Sequence, residues 1–129
     1  MTKKSIFKAK RVANEDVSGW LEDHAVVVEG GVITTVEPAA NVSASGDSYE
    51  VHDLGDVSLL PGLVDAHCHM HCSATHDAQA LAMSESDQQL TIRATNNMRK
   101  AVLAGTTTIR DIGSRNEVAF AVRQMIQTG

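Results

Sequence analysis

The stretch Leu59–Ser73, LLPGLVDAHCHMHCS, joins an apolar run to three histidines and two cysteines. Leu59, Leu60, Leu63 and Val64 are nearly continuous, broken only by Pro61 and Gly62, which is the pattern of a parallel strand buried on both faces. If extended backbone continues to Met70, side chains alternate. Asp65, His67 and His69 then share one face, and Ala66 and Cys68 share the other. The Cβ atoms of two such histidines lie roughly 7 Å apart, so both imidazoles can bend onto one ion at about 2.0 to 2.1 Å. The apolar run fixes the strand, and its carboxyl end presents ligands where the sites of parallel folds collect.

The other candidates carry weaker signals. Cys68 faces away from the histidine pair and reads as a residue packed against helices. His71 continues the alternation where the strand should be ending, and His76 lies further out, so both are secondary candidates for ligation. His24 and His52 stand alone and read as structural. Asp65 either anchors a ligand imidazole or hydrogen-bonds the start of a loop. Two neutral rings on one buried face, by contrast, need partners for four ring nitrogens, which is why His67 and His69 are singled out.

Composition narrows the function classes. With 129 residues, 43% of them hydrophobic, the chain can build one core of ordinary size. No apolar stretch approaches the roughly 20 residues of a membrane span, and the basic start MTKKSIFKAK lacks a signal peptide's apolar block, so the expected location is the cytoplasm and no membrane partner is expected. Sixteen acidic against eleven basic residues give a net charge of −5, and no basic cluster offers a grip on phosphates, so nucleic acid is not an expected partner. Cys68 and Cys72 in a reducing compartment read as free thiols.

Before the histidines the chain is β-rich. SIFKAKRV (Ser5–Val12) reads as a strand, and HAVVVEGGVITTVEP (His24–Pro38) as a hairpin turning at Gly30–Gly31, because glycines supply the positive φ of a two-residue turn. AANVSASGDS (residues 39–48) reads as a surface connection, and YEVHDLGDVSLLPG resumes strand composition. After the histidines the period lengthens. Leu90, Ala94, Met98, Ala101 and Val102 mark a helix, with Ser84 and Asp87 as its capping box and Gly105 as its left-handed end. TTTIRDI (Thr106–Ile112) is a second strand. Ser114 and Glu117 form a second capping-box pattern before Val118, Val122, Met125 and Ile126. Strands alternating with helices imply a parallel sheet with right-handed crossovers.

The run from Pro61 to His69 resembles the Pro-Gly-Leu/Ile-hydrophobic-Asp-x-His-x-His motif that ends the first barrel strand in the amidohydrolase superfamily. LAGTTTIRDIGS (Leu103–Ser114) is similar to the second strand of its imidazolonepropionase-like and prolidase-like branch, and VVVEGGVITTVEP to the small β-sandwich strands that precede the barrel. The resemblance implies an α/β fold, with residues 1–58 part of a β-sandwich and residues 59–129 the first two βα units of a (β/α)8 TIM-like barrel. His67 and His69 would ligate the more buried of one or two divalent metals, most often zinc. The remaining ligands would come from later strands: a carboxylated lysine, two histidines, and an aspartate that also serves as base. A metal-activated hydroxide would then cleave a carbon–nitrogen bond in a small-molecule amide, cyclic amide or dipeptide-like substrate.

Such a barrel takes roughly 250 residues. The expectation is therefore an N-terminal portion, inactive alone and without a catalytic residue of its own, taken from an enzyme that assembles as a homo-oligomer. Asp111 reads as an ordinary hydrogen-bonding residue at the strand end. The alternative is a noncatalytic metal-binding module in which His67, Cys68, His69, His71, Cys72 and His76 form a soft-ligand cluster.

Overall fold

The computed structural model describes residues 4–43 and 49–129, so the end of the expected surface connection lies outside the described residues. The chain divides into two compact units, Met1–Pro61 and Gly62–Gly129. It is mixed α/β.

The first unit is built around β1 (Lys4–Ala13). It pairs antiparallel with β2 (Trp20–Glu29), which pairs antiparallel with β3 (Val32–Pro38). On its other side β1 pairs in parallel with β4 (Tyr49–Asp53) and then with β5 (Ser58–Leu59). The expected hairpin is present. Glu29 pairs with Val32 across Gly30–Gly31, and both glycines have positive φ, 59° and 83°, as the two-residue turn requires. Ile6, Ala25 and Val27 form one small core, and Ala9, Val12 and Val26 another. Burying Ile6 completely contributes about 1.5–3 kcal/mol.

The second unit runs β6 (Leu63–Cys68), α1 (Ala78–Ser84), α2 (Asp87–Leu103), β7 (Thr106–Asp111) and α3 (Val118–Thr128). β6 and β7 pair in parallel, as strand–helix–strand order requires. Leu90 and Ala94 of α2 pack against Val118 and Val122 of α3 and against Met70, with Cys68, Met98 and Ile109 at the edge. α2 ends where Gly105 adopts φ 95°.

Three sequence expectations are corrected. The apolar run Leu59–Val64 is not one buried strand: Leu59 pairs with Val12 through β5, β6 starts at Leu63, and Leu63 and Val64 are 59% and 69% exposed because β7 is their one described neighbour. α2 is capped by Ser86 and Gln89, whose side chains and backbone amides bond reciprocally, and not by Ser84 and Asp87. Ser84 ends the unanticipated α1, and the Asp87 carboxylate is taken by Arg115 and Asn116. α3 starts at Val118 without a side-chain cap, since Ser114 spends its hydroxyl elsewhere.

The β6–β7 ladder also slips twice. Leu63 pairs with Thr106 but Val64 with Thr108, which leaves Thr107 bulged out of the ladder. Asp65 pairs with Ile109 and Cys68 with Asp111, so β6 carries one extra residue in the segment that holds His67. Strict alternation over 65–69 is thereby interrupted, and bulges of this kind re-aim side chains at strand ends.

Candidate metal centre

His67 is the penultimate residue of β6, and His69 is the first residue beyond it. Despite the bulge the two rings converge. Their centroids are 5.6 Å apart and their planes are inclined at 77°. Imidazoles sharing one ion at about 2.0 to 2.1 Å have centroids roughly 5 to 6 Å apart, and the separation of this pair falls in that range. Both residues are exposed. His69 Nδ1 lies 3.4 Å from the Gly113 carbonyl oxygen, an acceptor only, so Nδ1 carries the proton and Nε2 is left with a free lone pair. Among the described residues, no hydrogen bond occupies the ring nitrogens of His67.

Asp111 ends β7 and ties the two strand ends together. Its Oδ2 accepts from Met70 N at 2.8 Å and from Ser114 Oγ at 2.7 Å, and its Oδ1 accepts from the amides of Gly113 and Ser114 at 3.0 and 2.9 Å. Burial works to raise its pKa, but the hydrogen bonds from Met70, Ser114 and Gly113 outweigh it and hold the carboxyl below the usual range. This is the hydrogen-bonding role expected of it.

His71 is buried and its ring meets His69 edge-on at 6.5 Å. Ser114 Oγ gives its proton to Asp111, so it accepts from His71 Nδ1 at 3.1 Å, and His71 Nε2 then faces the Cys72 thiol at 3.5 Å. Burial lowers the His71 pKa, against the pull of Asp111. With both nitrogens engaged, His71 is a buried hydrogen-bonded residue. Asn97 of α2 completes the support by donating to the carbonyls of Met70 and Cys72 at 3.0 and 3.2 Å.

The remaining candidates fall away from the pair. Cys68 packs on the helical core, as expected of it, and burial pushes its thiol up, which makes it a poorer thiolate. Asp65 accepts from the His67 amide at 3.1 Å, a local contact within the bulged part of β6. His76 is exposed. His24 hydrogen-bonds the Glu22 carbonyl, and His52 stacks on Phe7 at 4.7 Å, so both are structural. Among the described residues, no three His, Cys, Asp or Glu side chains converge to hold an ion, and a soft-ligand cluster is not assembled. Sequence reading missed Asn97, Gly113 and the use made of Ser114. The signal for the last two was the Asp-x-Gly-Ser pattern of an Asx turn.

A hollow of about 990 Å³ opens between α2, β7 and α3. It is lined by Met98, Val102, Ile109, Phe120, Met125 and Ile126, not by His67 or His69. No described helix is long and apolar enough to cross a membrane.

Known proteins bear on this geometry. Imidazolonepropionase of Deinococcus radiodurans is 49% identical over 49 residues, 38% of this chain and 12% of that protein. Adenine deaminase of a Bradyrhizobium species is 31% identical over 103 residues, 77% of this chain and 14% of that protein. The chain thus spans a small part of the length of the curated relatives it matches. The crystal structure of a prolidase complexed with N-methylphosphonate-L-proline superposes with a TM-score of 0.80 at 20% identity, covering 98% of this chain and 29% of that one. The sequence pattern of the Amidohydrolase family matches residues 58–128, more than half of the chain and the part that carries both histidines. On that match the chain belongs to the Amidohydrolase family.

Proposed function

We propose that this chain supplies the first two metal ligands, His67 and His69, of a hydrolase acting on carbon–nitrogen bonds of small amide, cyclic-amide or dipeptide-like molecules. The observation that carries this reading is the convergence of the two rings at 5.6 Å at the carboxyl end of a parallel strand, within the family-matched residues. His69 would present Nε2, with its Nδ1–H held by Gly113, and His67 would approach from the adjacent position on β6. A divalent ion held there, zinc by the chemistry of imidazole donors, would supply Lewis acidity for activating water and polarising the scissile group.

The chain's own residues hold and orient. Asp111 and Asn97 hold the backbone at Met70 and Cys72, just after His69, and Ser114 ties Asp111 to the turn. The base and further ligands would come from other barrel strands, so the chain alone would be inactive. The exposed apolar faces of Leu63, Val64, Phe120, Met125 and Ile126 support reading residues 59–129 as the opening two βα units of a (β/α)8 barrel. The first 58 residues would be a β-sandwich portion. A cytoplasmic homo-oligomer is the proposed setting.

The test is metal content and turnover of the full-length protein carrying His67→Ala or His69→Ala, with Cys68→Ala as comparison. Either histidine change should remove bound zinc and nearly all hydrolysis, and the cysteine change should spare both. Histidine variants that retain metal while Cys68→Ala loses it would overturn the reading.

A further inference from the structure

The contact between His69 and the turn after β7 is closer than one hydrogen bond requires. A Cβ built on Gly113 would lie 2.9 Å from His69 Cε1 and 3.1 Å from Nδ1. The imidazole therefore occupies the space that any side chain at position 113 would fill. Gly113 is absent from the residues with positive φ, so the backbone conformation does not demand glycine there; the ring does. The same residue's carbonyl faces His69 Nδ1.

The seat is anchored from both sides by one carboxylate. Asp111 Oδ1 accepts from Gly113 N, and Oδ2 accepts from Met70 N, the amide next along the chain from His69. One group thus fixes the backbone under the ring and the backbone that carries it. The geometry points to Gly113 and Asp111 as positioning residues for His69. Gly113 sets the ring's orientation and its Nδ1–H tautomer, and Asp111 holds the seat in register with β6. This rests on the proposed role of His69 as a ligand. Partners that orient a ligating imidazole typically account for 10- to 100-fold in metal affinity.

The test uses the full-length protein, stripped with chelator and reloaded with Zn(II) or Co(II). Gly113→Ala should weaken Zn(II) binding at least about tenfold and alter the visible Co(II) spectrum. The melting temperature of the apo form should change little, because the contact is exposed. Ser84→Ala, at the end of α1 with its hydroxyl on the Leu81 carbonyl, touches neither Asp111 nor Gly113 and should bind Zn(II) as the parent does. If Gly113→Ala matches the parent in affinity and Co(II) spectrum while His69→Ala loses the metal, the seat is refuted and the ligand assignment stands. If His69→Ala keeps the metal, the ligand assignment falls and the seat falls with it. Should Gly113→Ala fail to fold, ¹⁵N shifts of the His69 ring in the unsubstituted apo protein decide. Protonated Nδ1 with bare Nε2 supports the seat, and the reverse tautomer overturns it.

Discussion

Gly62→Ala places a methyl group where Thr107 already sits. The new Cβ would lie 2.0 Å from Thr107 Oγ1, 2.4 Å from Cγ2 and 2.7 Å from Cβ. Turning the threonine side chain relieves the first two contacts. It cannot relieve the third, because the β7 backbone sets the position of Cβ. β6 must then move away from β7, which strains the 2.9 Å bond from Leu63 N to the Gly105 carbonyl and the pairing of Leu63 with Thr106. Overpacking costs about 1–3 kcal/mol, and weakening one backbone hydrogen bond adds about 1 kcal/mol, so Gly62→Ala should destabilise the second unit by about 2–4 kcal/mol. Thr107→Ala keeps the offending Cβ and should restore only part of the loss. Thr107→Gly removes it, and the double variant should sit about 1 kcal/mol below the parent, the ordinary cost of glycine in a strand. Urea unfolding of the metal-free full-length protein, followed by circular dichroism, measures the parent, the three single variants and the two double variants. Gly62→Ala within about 0.5 kcal/mol of the parent, or a Thr107→Ala rescue as complete as that by Thr107→Gly, would refute the reasoning.

Ser86→Ala removes one half of the reciprocal cap on α2 and should lower stability by about 1 kcal/mol, read as a lower melting temperature. An unchanged melting temperature would mean that α2 does not depend on its cap. The depressed pKa of Asp111 fixes a pH dependence. Its folded value lies below the unfolded value of about 3.9, so its contribution is complete above that pH and is lost as pH falls through the folded value. Asp111→Asn should therefore be less stable at neutral pH and lose less stability on acidification. Acid-unfolding curves that stay parallel for parent and variant would contradict this.

What the sequence made legible was local. The Gly30–Gly31 hairpin, the Gly105 helix end and the β-branched strand at Thr106–Asp111 each follow from rules spanning a few residues. What it hid depends on distant partners. Ser84 and Ser86 both offer a helix start, and the choice is settled by Asp87 being taken from 28 residues away by Arg115. Ser114 suits a cap as well as a turn, and the Asp111 carboxylate decides for the turn. The bulges of β6 and β7 leave no mark in composition, although they set which faces the His67 and His69 side chains take.

α1 shows what such remote partners mean for the order of assembly. It is seven residues long, with no side-chain N-cap, no acidic first turn and no basic last turn. Arg115 donates to the carbonyls of Ala82, Met83 and Glu85 at its carboxyl end, across 30 to 33 residues of chain. A segment this short does not hold a helix unaided. During synthesis α1 leaves the ribosome well before the side chain that completes it, whereas α2 emerges with Ser86 and Gln89 already in hand. The helix nearest the histidines in sequence is thus a dependant of the second βα unit. Nascent chains stopped short of residue 115 carry its sequence without the means to close it.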